Sequence, residues 1–250
     1  MNILIVNDDG WKSEGSYLLK ETLQGSNNVY CYFPYINSSG YSQKISLNSN
    51  ITISKVDYNY YKVDGTPVDC VLIAIRDLEI KGIKIDLVIS GINDGLNYGT
   101  PICYSGTIAA ALEASNYGIP SIAFSYEGDL KESLILENID KWVLDLPLNK
   151  ISKSSILNIN IKETECSDYT RAPILIENEI IDYSFRLPSL KAEKNGYRIS
   201  VNNSVKNNTE KNFLMIGIYN RFSGFILNES DQKLLQELKH NIKNSYHLGV

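Results

Sequence analysis

The chain has 250 residues, 43% hydrophobic and 21% charged, a composition that belongs to a globular protein and excludes a disordered one. Lys and Arg total 24 against 29 Asp and Glu, a net charge of −5, which argues against a nucleic-acid polymer as the main partner. No apolar run approaches the roughly 18 residues that a membrane-spanning helix requires. In chain order, Asn2–Val6 (NILIV) reads as a fully buried strand. This opening segment lacks the basic start and longer apolar stretch of an export signal, so a cytoplasmic location is expected. Ser13–Gln24 reads as a helix, and Val29–Phe33 as a strand ending at Pro34. Period-2 stretches over Ser42–Asp57 and Tyr58–Asp64 predict a side hairpin. Pro67–Leu78 places Pro at a first helical position ahead of helical apolar spacing. Asp86–Ser90 is a buried strand, Gly106–Tyr117 an alanine-rich helix stopped by Gly118, and Ser121–Phe124 a further strand.

Asp129–Leu146 reads as helical and Ser155–Ile161 as a strand. From Glu163 onward come polar strands and Asn-rich turns. Ser230–Asn244 predicts an amphipathic helix, capped by Ser230, with Leu234, Leu235, Leu238 and Ile242 on one stripe. Strands alternating with helices imply the α/β class, a mostly parallel sheet covered on both faces. The reading is one domain over 1–250, with a core of about 1–160 plus C-terminal strands, and an extension within 163–250.

Scarce residues restrict the chemistry. The two histidines, His240 and His247, both lie close to the C-terminus. A histidine-rich zinc site is therefore excluded, and a Ser-His-Asp triad would have to draw on the tail. Cys31, Cys70, Cys103 and Cys166 are too widely spaced for a zinc ribbon and read as reduced thiols.

Four short segments carry oxygen chemistry at strand ends or a helix start. Asn7-Asp8-Asp9-Gly10 follows the first strand, where α/β sheets bind ligands. Adjacent carboxylates repel, and a bound cation relieves that repulsion; the plain alternative is an Asp-Gly turn. Ser90–Gly99 (SGINDGLNYG) reads as a glycine-asparagine loop, with neither Walker nor dinucleotide spacing. Tyr104-Ser105-Gly106-Thr107 opens a helix, either as an anion cradle or as a simple N-cap. Ser38-Ser39-Gly40 follows the second strand and resembles any serine-glycine loop. Together they offer two carboxylates, a hydroxyl, an amide oxygen and an anion nest. That donor set suits Mg²⁺ or Mn²⁺ beside a phosphoester.

ILIVNDDG (3–10), Ser39-Gly40, GTPVDCV (65–71), SGINDGLNYG (90–99) and YSGTIAAALEA (104–114) together resemble the SurE family of nucleotidases and acid phosphatases, and GYRIS (196–200) adds a weaker match. The resemblance implies a Rossmann-like fold and a divalent-metal-dependent phosphatase acting on nucleoside 5′-monophosphates, with 3′-monophosphates and polyphosphate as further substrates. It implies one cation per subunit on Asp8, Asp9, Ser39 and Asn93. It places Gly40, Asn97, Ser105, Gly106 and Thr107 toward the phosphate, with Asp8, Asp9 and Asn97 catalytic. It also implies a homodimer or homotetramer built through a C-terminal hairpin and helix, with Ser230–Asn244 the candidate helix. The chain departs from the family pattern before Ser39, where Tyr35 and Ile36 replace an Asp-Arg pair. Two other readings stay open: an aspartyl-phosphate phosphatase, against which the adjacency of Asp8 and Asp9 counts, and a sensor that binds metal or nucleotide without turnover.

Overall fold

The computed structural model describes residues 1–130, 139, 143, 146, 150–163, 174–176, 189–193, 196–200, 213–220 and 228–246. Strand β1 (Asn2–Val6) is followed by helix α1 (Glu14–Leu23), β2 (Asn28–Pro34), β3 (Ile53–Asp57) and β4 (Tyr60–Val63). Helix α2 (Pro67–Ile80), β5 (Leu87–Asp94), a 3-10 turn (Thr100–Tyr104), α3 (Gly106–Asn116) and β6 (Ser121–Glu127) come next. Then follow β7 (Ser155–Lys162), β8 (Ile174–Ile176), β9 (Ser189–Glu193), β10 (Gly196–Ser200), β11 (Phe213–Asn220) and the terminal helix, labelled α4 here (Glu229–Tyr246).

Nine strands form one sheet in the order β3-β4-β2-β1-β5-β6-β7-β11-β8. β1 pairs in parallel with β2 and β5, and β6 pairs in parallel with β5 and β7. β3 is antiparallel to β4, and β11 is antiparallel to β7. The fold is thus α/β with a mostly parallel sheet, as the alternation of strand and helix patterns predicts. β9 and β10 form a separate antiparallel hairpin.

The side hairpin is real but shorter than its sequence pattern, and β4 joins the main sheet through parallel pairing with β2. β4 is buried at both ends, Tyr60 in the core on the α1 face and Val63 in the core on the α2 face. The helix expected over Asp129–Leu146 lies largely outside the described residues; Ile139 and Val143 within it are helical and buried.

β1 is buried on both faces, and its side chains alternate between two cores. Ile3 and Ile5 pack with Leu19 and Leu23 of α1, in a core that runs along this face of the sheet to Leu234, Leu235 and Leu238 of α4 over β11 and β8. Leu4 and Val6 pack with Val71, Ala74 and Leu78 of α2 and with Ala110 and Ala114 of α3. α2 begins with a full capping box between Thr66 and Asp69, with Pro67 at the first turn, which satisfies two otherwise orphan N–H groups. Asp69 also accepts from the Ser46 amide and hydroxyl, at 3.0 and 2.7 Å. The GTPVDCV segment is therefore structural at these two positions, tying a long loop to the start of α2.

Two expectations for the terminal helix need correction. α4 begins at Glu229, so Ser230 lies inside it; Asn228 is the cap, its Oδ1 accepting from the Asp231 amide at 2.9 Å. Leu234, Leu235 and Leu238 are buried against this chain's own sheet. The described part of the stripe therefore supplies no reason to require a second subunit.

Candidate active site

The parity of β1 continues past its end. Asp8 has the parity of Leu4 and Val6 and reaches α3; Asp9 has that of Ile3 and Ile5 and opens toward α1. Asp8 is 3% exposed, and its Oδ1 accepts from the Thr107 hydroxyl at 2.7 Å. The amides of Gly106 and Thr107 also bear on this carboxylate. Asp8 thus already occupies the positive end of α3. Gly106 allows that approach: a Cβ there would lie 2.7 Å from the Asp8 Cβ. Burial pushes the Asp8 carboxyl above its ordinary range, against the pull of the Thr107 hydroxyl. Asp9 is pushed up to about 7, by burial first and then by the charge of Asp8. The Asp94 amide donates to Asp9 at 3.3 Å.

The Asp8–Asp9 turn is held by Asn7, which sequence reasoning passed over. Its Nδ2 donates to the Gly10 carbonyl at 2.9 Å and to Ser16 Oγ at 2.6 Å, and its Oδ1 accepts from the Gly10 amide. The loop after β2 is drawn to the same rim by the Ser38 amide, which donates to the Asp8 carbonyl at 2.7 Å. Ser39 and Gly40 follow, both exposed.

The segment read as a loop over Ser90–Gly99 is partly strand. β5 runs on to Asp94, and its pairing with β6 shifts register between Ser90 and Asn93. Gly91 permits the irregularity: at φ 137°, a Cβ would meet the Phe124 carbonyl oxygen at 2.2 Å. Asn93 Nδ2 donates to the Gly95 carbonyl at 2.6 Å, which leaves Oδ1 as the acceptor it can offer a cation. Asn97 is turned inward: Nδ2 donates to Ser125 Oγ at 2.9 Å. Its backbone is clamped by β7, the amide donating to Asn160 Oδ1 at 2.6 Å and the carbonyl accepting from Asn158 and Asn160. Ser105 caps α3, its Oγ accepting from the Ile108 amide at 3.1 Å.

The structure therefore gathers Asp8, Gly106 and Thr107 into direct contact and puts Asp9, Ser39, Gly40 and Asn93 on the same rim. It directs Asn97 and Ser105 to structural partners. Asn158, Asn160 and Ser125 were not singled out from the sequence; only the unusual polarity of two asparagines inside a buried strand marked the first two. His240 is exposed on α4, and His247 lies outside the described residues. Cys31 and Cys70 are buried thiols and Cys103 is exposed.

The residues fit a hard cation. Among the described residues neither Asp8 nor Asp9 has an ion-pair partner, yet both are substantially withdrawn from water. Buried carboxylates of that kind need compensating charge. No group of three or more His, Cys, Asp or Glu is positioned to hold a metal among the described residues, so the remaining donors are neutral oxygens, as Mg²⁺ and Mn²⁺ accept.

A family model described as Survival protein SurE matches residues 3–175. The chain belongs to the SurE family. A curated SurE relative, the 5′-nucleotidase SurE of Legionella pneumophila, is 39% identical over 166 residues, covering 65% of this chain and 64% of that protein. The 5′-nucleotidase SurE of Aquifex aeolicus is 41% identical over 163 residues, 63% of this chain and 64% of that one. The matched part thus spans just under two thirds of the length of these SurE relatives. The crystal structure of the SurE protein from Aquifex aeolicus matches with a TM-score of 0.67 at 28% identity, over 97% of this chain and 100% of that chain.

Proposed function

We propose that this SurE-family chain is a divalent-metal-dependent phosphomonoesterase that hydrolyses nucleoside 5′-monophosphates. The observation that carries the reading is the Asp8–Asp9 pair, two carboxylates at the sheet rim without ion-pair partners among the described residues, one of them seated on the N-terminus of α3. The names of the relatives, 5′-nucleotidase SurE, support the substrate class. Asp8, Asp9, Ser39 and Asn93 would hold the cation. When bound, the cation supplies water activation and neutralises charge developing on the phosphoryl group.

The reaction adds the elements of water across the ester: a new P–O bond forms from water, the ester P–O bond breaks, and the nucleoside leaves as its alcohol. Asp9 accepts the water proton, because Asp8 is committed to Thr107 and the α3 amides. Gly40, Ser105, Gly106 and Thr107 border the phosphate, and Asn97 braces the loop beside it. The leaving oxygen takes its proton from solvent. We read the chain as one α/β domain with a C-terminal extension, cytoplasmic, and assembled as a homodimer or homotetramer on the strength of the family resemblance.

The test is phosphate release from AMP, GMP, 3′-AMP and tripolyphosphate, the last two being substrates to which the resemblance extends. With Mg²⁺ or Mn²⁺ the 5′-monophosphates are expected to turn over. EDTA is expected to abolish turnover, and added cation to restore it. Full activity in exhaustive chelator, or a wild-type rate in Asp8→Asn, would overturn the reading.

A further inference from the structure

Lysines that lie over aromatic rings fall into two groups among the described residues. Lys20 over Tyr17 and Lys81 over Tyr61 also have carboxylate partners, Glu21 at 3.1 Å and Asp77 at 2.6 Å. Lys12, Lys44 and Lys62 have none among the described residues. The Lys62 ammonium sits 5.2 Å from the Trp11 ring centre and 5.0 Å from that of Tyr35. Lys12 lies 5.0 Å from the same Trp11 ring, and Lys44 lies 4.6 Å from that of Tyr41. A ring takes up one side of an ammonium and leaves N–H donors free. These three cations are therefore held in place without being neutralised, in a chain whose net charge is −5.

All of them border one edge of the sheet rim. Trp11 lies two residues beyond Asp9, within about 7 Å along the chain. Its amide donates to the Pro34 carbonyl at 2.9 Å, and the Tyr35 amide donates to the Val63 carbonyl at 2.7 Å. The ends of β1, β2 and β4 are thereby joined, and Trp11, Tyr35 and Lys62 stand there together. On the far side of Ser39 and Gly40, Tyr41 leads to Lys44, whose carbonyl accepts from the Thr66 hydroxyl at the start of α2. Tyr35 is 52% exposed and Tyr41 38%, so both rings reach solvent. Cations and rings thus alternate on both sides of Ser39.

This alternation suits a single-stranded nucleotide chain, whose phosphates take the ammoniums while its bases stack on the rings. A bare polyphosphate would use the lysines and leave the rings idle. The net charge opposes a long polyanion, but three local cations match the few phosphates of a short one. We propose that the surface formed by Trp11, Lys12, Tyr35, Tyr41, Lys44 and Lys62 binds the nucleotides that follow the terminal 5′-phosphate of a short oligonucleotide, with that phosphate at the Asp8–Asp9 rim. The proposal rests on the phosphomonoesterase reading and extends its substrates from mononucleotides to 5′-phosphorylated oligonucleotides. Water breaks the terminal ester P–O bond, inorganic phosphate leaves, and a 5′-hydroxyl oligonucleotide remains with its internal phosphodiesters intact.

Binding is tested in chelator, without turnover, using a 3′-fluorescein-labelled tetra-adenylate that bears a 5′-hydroxyl and three internal phosphates. Its anisotropy over a salt series is expected to give a log Kd that rises with log salt at a slope of about 2, from about 0.7 per phosphate neutralised. Lys12→Gln with Lys44→Gln and Lys62→Gln is expected to weaken binding at low salt by at least about 10-fold and to flatten the slope toward zero. Lys12 and Lys44 are exposed, so the double variant at these two positions is expected to keep the wild-type melting curve and to take most of the slope. Tyr35→Ala is expected to weaken binding about 10-fold with the slope unchanged, as the loss of a stacked base does. With Mg²⁺, kcat/KM for phosphate release from 5′-phosphorylated tetra-adenylate is expected to exceed that for AMP by at least about 10-fold. Tyr35→Ala is expected to remove this advantage and leave AMP turnover at the wild-type rate. An unchanged Kd in the folded lysine variants overturns the proposal. An unchanged Kd in Tyr35→Ala reduces the surface to a bare anion site and overturns the oligonucleotide assignment. Turnover of AMP with no advantage for the oligonucleotide overturns the proposal and leaves the phosphatase reading standing. Salt-dependent binding with no turnover of either substrate in Mg²⁺ or Mn²⁺ supports the binding surface and overturns the phosphatase reading.

Discussion

Asp8 and Asp9 are neighbours in sequence, yet β1 sends them to opposite faces of the sheet. Asp8 is locked by the Thr107 hydroxyl; Asp9, which accepts from the Asp94 amide, is held up to about 7 by burial and by Asp8. The sign of the resulting linkage is definite. Because the folded pKa of Asp9 exceeds its ordinary 3.8, the metal-free fold binds an extra proton between the two values. The stability contributed by that proton is full below about 3.8 and is lost as pH rises through about 7. Asp9→Asn has no such loss. Its melting temperature relative to wild type, both in chelator, is expected to climb from pH 4 to pH 7 and then level off. A gain of a few degrees is expected, at about 2–4 °C per kcal/mol for a chain of this size. A gap that narrowed with rising pH would contradict the burial of Asp9. On the proposed reading of Asp9 as proton acceptor and cation ligand, the same variant is expected to lose at least about 10³-fold in kcat with Mg²⁺. Asp9→Asn would then separate stability from activity in a single protein, as sites that hold unfavourable charge do.

At the scale of elements, the rim is built by side chains that replace regular backbone pairing. Asn7 stitches the turn after β1, and Asn158 and Asn160 of β7 clamp Asn97 where the chain leaves β5. Helix starts follow the same economy of partners: Thr66 and Asp69 cap α2, Ser105 caps α3, and Asn228 caps α4. Asn228 also donates to Asp231, which accepts from the Ser152 hydroxyl at 2.8 Å. Asn228→Ala is expected to cost about 0.5–2 kcal/mol, the usual range for a lost N-cap. Ser230→Ala, inside the helix, is expected to fall within about 0.5 kcal/mol of wild type. Urea melts of the two variants decide the matter, and the reverse ranking would return the cap to Ser230.

At the scale of the whole molecule, α4 covers the β11–β8 end of the sheet, on the face that α1 covers at the other end, and leaves Leu234, Leu235 and Leu238 buried. Leu238 is 2% exposed and shares a cluster with Ile5 and Ile89. Leu238→Ala is expected to cost about 2–5 kcal/mol, the range for emptying a packed leucine site. The loss is expected to be independent of protein concentration, because the contact lies within one chain. Light scattering at micromolar concentration tests the proposed homodimer or homotetramer separately. A melting temperature of Leu238→Ala that rose steeply with concentration would place that leucine between subunits instead.

The sequence by itself determined the α/β class, because buried strands and amphipathic helices differ in period and each period is legible locally. It also marked strand-end oxygens, Asp8 and Asp9 above all, as candidates for a cation, because α/β sheets bind ligands there; Ser39 and Asn93 entered as ligands through the family resemblance and belong to the proposed function. Only the tertiary structure decided how those oxygens divide. Asp8 faces α3 and Asp9 the α1 side because strand parity carries through the turn, and parity has meaning only once both faces of the sheet are filled. The extension of β5 to Asp94 was hidden because Gly91 and Asn93 read as loop residues; pairing of Asn93 with Ser125 and of Asp94 with Tyr126 in β6 supplies what their own preferences do not. The anion at the α3 N-terminus was hidden for a similar reason, since Asp8 and Thr107 are 99 residues apart in sequence. Coverage of the α4 leucines is equally non-local, set by β11 and β8 joining the sheet beyond β7, a pairing that no short window of sequence contains.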